Sequence, residues 1–229
     1  MTPPRRPMAR RRETAGPDLF TDHGDSSTEA LADGATILRR FAEPTAGELV
    51  ETIASLTAAS PFRNMVTPGG YTMSVAMTNC GRLGWVTDRK GYRYDTIDPT
   101  TQRPWPALPA IFHDLATRAA AAAGFGGFEP DACLVNRYDP GTRLSMHQDR
   151  NERDFGAPIV SVSLGLPAVF MFGGARRQDR PRRVRLENGD VVVWGGPARL
   201  TFHGVAPLAD GEHPLTGRHR INLTFRKAG

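Results

Sequence analysis

Arg218-His219-Arg220-Ile221-Asn222-Leu223-Thr224-Phe225-Arg226 alternates strictly from Arg220 onward. Successive side chains of an extended chain point to opposite faces. Ile221, Leu223 and Phe225 therefore share one face, and Arg220, Asn222, Thr224 and Arg226 the other. The first face belongs against a core. The second is unusual, although a solvated edge strand would carry the same pattern. Planar guanidinium forks suit bidentate capture of carboxylates, so a strand presenting two of them fits a small dicarboxylate.

Working back from this strand, Asp190-Val191-Val192-Val193-Trp194 is a β-branched run closed by Gly195-Gly196-Pro197. Leu200-Thr201-Phe202-His203-Gly204-Val205 reads as the next strand, with His203 at its end. Further back, Cys133-Leu134-Val135-Asn136-Arg137-Tyr138 reads as a buried strand and precedes His147-Gln148-Asp149. Residues i and i+2 of an extended segment face the same way, so His147 and Asp149 can reach one ion together. Two histidines and one carboxylate with open positions opposite form the facial triad of non-heme Fe(II) oxygenases. A core histidine satisfied by a carbonyl would equally account for His203 taken alone. A second His-x-Asp, His23-Gly24-Asp25, lies in a polar stretch with no apolar run to build a strand around it and is set aside.

Asn136-Arg137-Tyr138, His147-Gln148-Asp149, His203 and Arg220 to Arg226 together resemble the AlkB family of Fe(II)/2-oxoglutarate-dependent nucleic acid dealkylases. The likeness to bacterial members extends through Pro61-Phe62-Arg63, the run from Val66 to Gly81, and Ser161-Val162-Ser163-Leu164-Gly165-Leu166-Pro167. It covers the chain from about Leu31 to the C-terminus.

The resemblance implies a mainly β, α+β fold: a double-stranded β-helix (jelly-roll) over about 131–229, with flanking helices and an N-terminal nucleotide-recognition lid over about 60–110. It implies Fe(II), with 2-oxoglutarate and O2 as cosubstrates. His147, Asp149 and His203 would hold iron. Arg220 and Arg226 would pair with the two carboxylates of 2-oxoglutarate, within a cosubstrate site of Asn136, Arg137, Tyr138 and Asn222. Trp85 would stack the base, Tyr92 and Tyr94 would contact the nucleotide, and Arg177 would approach the substrate. The implied reaction is oxidative demethylation of 1-methyladenine and 3-methylcytosine in DNA, and in RNA as a further substrate, on a single strand or a flipped base. The alternative is a 2-oxoglutarate-dependent hydroxylase of proteins or small molecules.

One position departs from the bacterial pattern, in which two acidic residues follow the His-x-Asp motif after one intervening residue. Here the chain reads Arg150-Asn151-Glu152. Asn151 replaces a carboxylate that would face the base, and an amide both donates and accepts where a carboxylate only accepts. Base preference is expected to shift here.

At 229 residues and 39% hydrophobic, the chain suffices for one sizeable core. Residues 31–229 are assigned to one domain and residues 1–30 to a basic, disordered tail. Glu48 to Ala59 places Leu49, Ile53 and Leu56 on one helical face, and a second helix from Ile111 to Ala123 ends at Gly124. No apolar span approaches the 20 residues or so of a membrane helix, so no membrane partner is expected; nothing in the sequence suggests an obligate protein partner, and a monomer is expected. Two cysteines and no secretory leader point to the cytoplasm.

The net charge of +5 comes from the first twelve residues, which hold five Arg and no acid; residues 13–229 balance at 24 basic and 24 acidic. A second basic cluster, Arg176, Arg177, Arg180, Arg182, Arg183 and Arg185, is opposed only by Asp179. In a domain that holds nucleic acid, that cluster is expected to meet phosphates.

Overall fold

A computed structural model describes residues 27–229 of the chain. The Arg-rich start, the His23-Gly24-Asp25 pair and most of the assigned tail lie outside the described residues. Thr28–Ala32 already forms β1, so the ordered fold takes in residues that the sequence assigned to the tail.

The described residues hold fourteen strands: β1, β2 (Ala35–Leu38), β3 (Arg63–Val66), β4 (Thr72–Gly81), β5 (Gly84–Asp88), β6 (Gly91–Asp95), β7 (Ala132–Tyr138), β8 (Leu144–His147), β9 (Ile159–Gly165), β10 (Ala168–Phe172), β11 (Arg182–Leu186), β12 (Val191–Trp194), β13 (His203–Val205) and β14 (Arg220–Arg226). They form an eight-stranded sheet ordered β1-β2-β12-β9-β14-β7-β4-β3, a four-stranded sheet ordered β11-β10-β13-β8, and the hairpin β5-β6.

The eight-stranded sheet is buried on both faces, which explains its sequence. On one face Val191, Val193, Val160, Val162, Leu223, Phe225 and Val135 meet the helices α1 (Ala46–Ala59) and α2 (Ala110–Ala122) through Leu49, Ile53, Phe112 and Leu115. On the other face Val192, Trp194, Ile159 and Tyr138 meet Phe170, Phe172 and Val205 of the smaller sheet. Each Leu or Phe fully enclosed this way contributes about 2 kcal/mol of hydrophobic stabilisation. Between the sheets, the packing gives way to polar side chains around a cavity of about 760 Å³.

The alternation of β14 is met in full. It is a central strand, paired antiparallel with β7 on one side and β9 on the other, so its polar face looks inward and is no solvated edge. Both helices lie within two residues of their expected limits, and α2 gives way to Gly124 at φ +90, a left-handed conformation that favours glycine. The expected lid over 60–110 is divided: β3 and β4 extend the large sheet beyond β7, and only the β5-β6 hairpin stands as a sheet of its own. β4 continues the sheet because residues 75–81 pack on both faces. Among the described residues, no helix is long and apolar enough to cross a membrane.

Candidate active site

His147 ends β8 and His203 begins β13, and the two are register partners. The expected strand over Leu200–Val205 is thus shorter, with His203 at its start. Gly204 permits this approach: a Cβ there would lie 2.7 Å from the Leu144 carbonyl oxygen of the facing strand. The two rings sit 4.4 Å apart between centroids. His147 Nε2 is 3.6 Å from Asp149 Oδ1, and His203 Nε2 is 3.9 Å from Asp149 Oδ2.

Each histidine is oriented by its own strand. His147 Nδ1 lies 2.9 Å from the Ser145 carbonyl and His203 Nδ1 lies 3.0 Å from the Thr201 carbonyl. A carbonyl only accepts, so both Nδ1 atoms carry the proton and both Nε2 lone pairs are left for a third party. One ligand atom from each of His147, Asp149 and His203 lies within 4.8 Å of the others. This donor set and its outer hydrogen bonds fit a divalent transition metal.

Electrostatics agree. Burial alone would raise the Asp149 carboxyl, but the Arg226 guanidinium and then His203 and His147 hold it well below the usual carboxylate range. Burial and the neighbouring His147 push His203 down to about 4. A neutral imidazole and an ionised carboxylate are the forms that bind metal.

The cavity's inner wall is made by β14, β7 and β9. Arg220 is 1% exposed, and Nη2 donates to Ser163 Oγ at 3.0 Å, while Nε and Nη1 have no partner. Its guanidinium lies 5.0 Å over the Tyr138 ring. Asn136 Nδ2 donates to Asn222 Oδ1 at 3.3 Å, Thr224 Oγ1 donates to the same oxygen at 2.8 Å, and Asn222 Nδ2 is held by Ser161 Oγ and the Val162 carbonyl. A buried guanidinium with two unmet donors is costly without an anion. The wall is therefore shaped for a carboxylate.

A sequence model of the 2OG-Fe(II) oxygenase superfamily matches residues 34–226. The chain is 62% identical to the Escherichia coli (strain K12) alpha-ketoglutarate-dependent dioxygenase AlkB, over 93% of this chain and 98% of that one. This chain belongs to the AlkB family of 2OG-Fe(II) oxygenases. A more distant relative is the Schizosaccharomyces pombe tRNA demethylase abh1, at 31% identity over 64% of this chain and 53% of that one. Among solved structures, that of OsALKBH1 superposes with a TM-score of 0.77 at 28% identity, covering 88% of this chain and 100% of that one. As an AlkB-family dioxygenase the protein depends on iron(II) and 2-oxoglutarate.

Within this AlkB-family site, three expected residues are placed differently. Arg137 does not reach the cavity: between Asn136 and Tyr138 in an extended strand it must face the other way, where it lies over Phe62 and 3.6 Å from Asp139. Tyr94 is absent from the lining, and its hydroxyl donates to Glu152 at 2.6 Å. Arg226 lines the cavity, but its Nε and Nη2 both donate to Asp149 Oδ2. Trp85, Tyr92, Asn151 and Arg177 all line the cavity. Trp85 stacks on Tyr92 with centroids 5.8 Å apart, and its Nε1 donates to Asn151 Oδ1 at 3.3 Å.

Half of the Arg cluster is paired with acids of the protein itself. Arg182 pairs with Glu29, Arg185 with Glu187 and Arg176 with Asp179. Arg177 lies over Phe202 at the cavity. Sequence reasoning missed Trp194, which packs 5.0 Å from His203, and the Glu152–Arg199 pair beneath Asp149. Trp194 stands at the end of a β-branched strand run, a pattern that gives it no site role; Arg199 and Glu152 sit in loops, where no periodicity marks burial.

Proposed function

We propose that the protein removes N-linked methyl groups from 1-methyladenine and 3-methylcytosine in DNA, and also in RNA, with conversion of 2-oxoglutarate to succinate and CO2 and release of formaldehyde. It would act as a monomer on single strands or on a base turned out of the duplex, where the target atom is reachable. The observation that carries this is one continuous cavity with an aromatic pair at its mouth, the His/Asp/His cluster in its middle and an unsatisfied arginine at its inner end. The relative named as a tRNA demethylase supports the RNA activity. Cys80 and Cys133, both buried and unbonded, suit a reducing cytoplasm.

Iron(II) with its cosubstrates supplies oxidation of the N-methyl carbon. The chain's residues arrange that chemistry. His147, Asp149 and His203 would hold the metal from one side. Arg220 would take one carboxylate of 2-oxoglutarate with Nε and Nη1, and Arg226 would set a positive charge near the other while fixing Asp149. Trp85 and Tyr92 offer faces for a base, a contact of roughly 1 to 3 kcal/mol per base. Asn151 would meet the base edge, and Arg177 a phosphate.

The test is mass spectrometry of a single-stranded oligonucleotide carrying one 3-methylcytosine, incubated with protein, Fe(II), 2-oxoglutarate and ascorbate in air, beside a His147→Ala control. Loss of one methyl increment with formaldehyde and succinate formed, and no change with the variant, is expected. Succinate without demethylation would point to protein or small-molecule hydroxylation instead.

A further inference from the structure

The β5-β6 hairpin touches the segment after Asp149 at two consecutive residues. Trp85 and Tyr94 are register partners within the hairpin. Trp85 Nε1 donates to Asn151, and the Tyr94 hydroxyl donates to Glu152 Oε1 at 2.6 Å. Glu152 is buried, and its second oxygen accepts from Arg199 Nη2 at 3.2 Å, while Arg226 Nε lies 3.4 Å from the first.

Both arginines also grip Asp149. Arg199 Nη1 donates to its main-chain carbonyl at 2.8 Å, and Arg226 donates to Oδ2 at 2.9 Å from Nε and 2.6 Å from Nη2. Neither the backbone nor the carboxylate of Asp149 can shift without moving a guanidinium that Glu152 also holds. A buried ion pair serving stability alone would need Arg199 and Glu152, with no tie to the hairpin.

Building on the demethylase reading above, we propose that Glu152 is a positioning residue that couples occupancy of the aromatic hairpin to the placement of the Asp149 carboxylate, tying cosubstrate turnover to the presence of a base. The charges make the coupling direct. Two buried guanidiniums face two carboxylates, and a metal ion draws on Asp149. Glu152 then remains as the anion that keeps Arg199 and Arg226 satisfied. Without its charge Arg226 draws more strongly on the Asp149 carboxylate against the metal, and Arg199 is left with main-chain carbonyls alone, those of Asp149 and Ala157. Tyr94 supplies the other end: a hairpin displaced by an arriving base moves the hydroxyl that holds Glu152.

The experiment compares wild type, Tyr94→Phe and Glu152→Gln, each loaded with Fe(II) and 2-oxoglutarate. Without oxygen, the visible absorption of the iron–cosubstrate complex is recorded before and after a saturating single-stranded oligonucleotide carrying 3-methylcytosine, with binding followed by fluorescence anisotropy. In air, succinate formed per base demethylated is counted. Wild type should show a spectral change on oligonucleotide binding. The variants should bind the oligonucleotide yet lose that change, and their succinate-to-repair ratio should rise roughly ten- to a hundredfold, the size of one lost charge-assisted hydrogen bond. Variants that keep the wild-type spectral change and ratio overturn the proposal. So do variants in which both yields fall together with weaker binding, since Tyr94 would then be an ordinary contact.

Should Glu152→Gln fail to fold, Tyr94→Phe removes a single oxygen and decides the matter alone. A wild type that binds and responds spectrally without demethylating would refute the lesion assignment and leave the spectral comparison to judge the coupling. An oligonucleotide that neither binds nor alters the wild-type spectrum would overturn both.

Discussion

Arg226 directs two donors at one oxygen of Asp149, with Nε at 2.9 Å and Nη2 at 2.6 Å from Oδ2. Asp149 Oδ1 stays on the side of His147 Nε2, 3.6 Å away. The guanidinium thus divides the carboxylate into an oxygen held by the protein and an oxygen available to an ion. A Lys at this position carries the charge without the fork. Arg226→Lys is expected to weaken metal binding roughly 10- to 100-fold, the usual consequence of losing a ligand's hydrogen-bond partner. Anaerobic titration with Fe(II) or Mn(II) checks this, and unchanged affinity would show that charge alone orients Asp149.

Arg220 makes a prediction with two opposite signs. Its Nε and Nη1 are unpaired in a buried wall, and burial lowers the guanidinium's pKa despite the Tyr138 hydroxyl. Arg220→Met removes an uncompensated buried cation, so the cosubstrate-free variant should melt no lower than wild type. The same change removes the partner of a desolvated carboxylate and should raise KM for 2-oxoglutarate roughly 100-fold. Wild type should also gain thermal stability from added 2-oxoglutarate, rising with the logarithm of ligand over Kd, and the variant should not at the same concentrations. A variant that melts far below wild type without cosubstrate would show that Arg220 is part of the core.

The period of two made much of this site legible. It placed Arg220, Asn222, Thr224 and Arg226 on one face of β14, and sequence order left only the pairing of β8 with β13 to bring His203 to His147. The same parity excludes Arg137 from the face shared by Asn136 and Tyr138, so its displacement follows from the strand itself. Loop residues were beyond this logic. Nothing periodic marks Arg199 or Glu152, because their burial depends on three segments meeting around Asp149. The local run from Arg176 to Arg185 showed only Asp179 as an opposing acid for a similar reason: Glu29, which pairs with Arg182, is distant in sequence and adjacent in space.

Asn151 sits at the cavity mouth with its oxygen accepting from Trp85 Nε1. With its oxygen engaged, the amide has N–H donors left to offer a base, whereas an aspartate there can only accept. Bases that present an exocyclic amine should gain from Asn151→Asp, and bases that present an acceptor should lose. The ratio of kcat/KM between 3-methylcytosine or 1-methyladenine and a methylated base with a carbonyl at that edge is expected to change about tenfold in favour of the amines, one hydrogen bond's worth. Identical ratios in both proteins would mean that Asn151 serves only to hold the indole.

The metal-free protein should carry a pH signature of its inner histidine. His203 ordinarily titrates at 6.5, and burial with the neighbouring His147 pushes it down to about 4 in the fold. Between those values the unfolded chain binds a proton that the folded chain refuses. Stability therefore rises with pH across this window: the contribution is fully present above 6.5 and is lost as pH falls toward 4, by about 3 kcal/mol at most. Asp149, held below its ordinary range, adds its own loss only at pH values under 3.8. His113, raised by Glu129, acts oppositely, with stability present below 6.5 and lost as pH rises through its raised value, and solvent screens that exposed pair. Chemical denaturation in chelator from pH 7.5 to 5 should show wild type losing stability while His203→Gln stays nearly level. Parallel curves for the two proteins would place the acid sensitivity elsewhere.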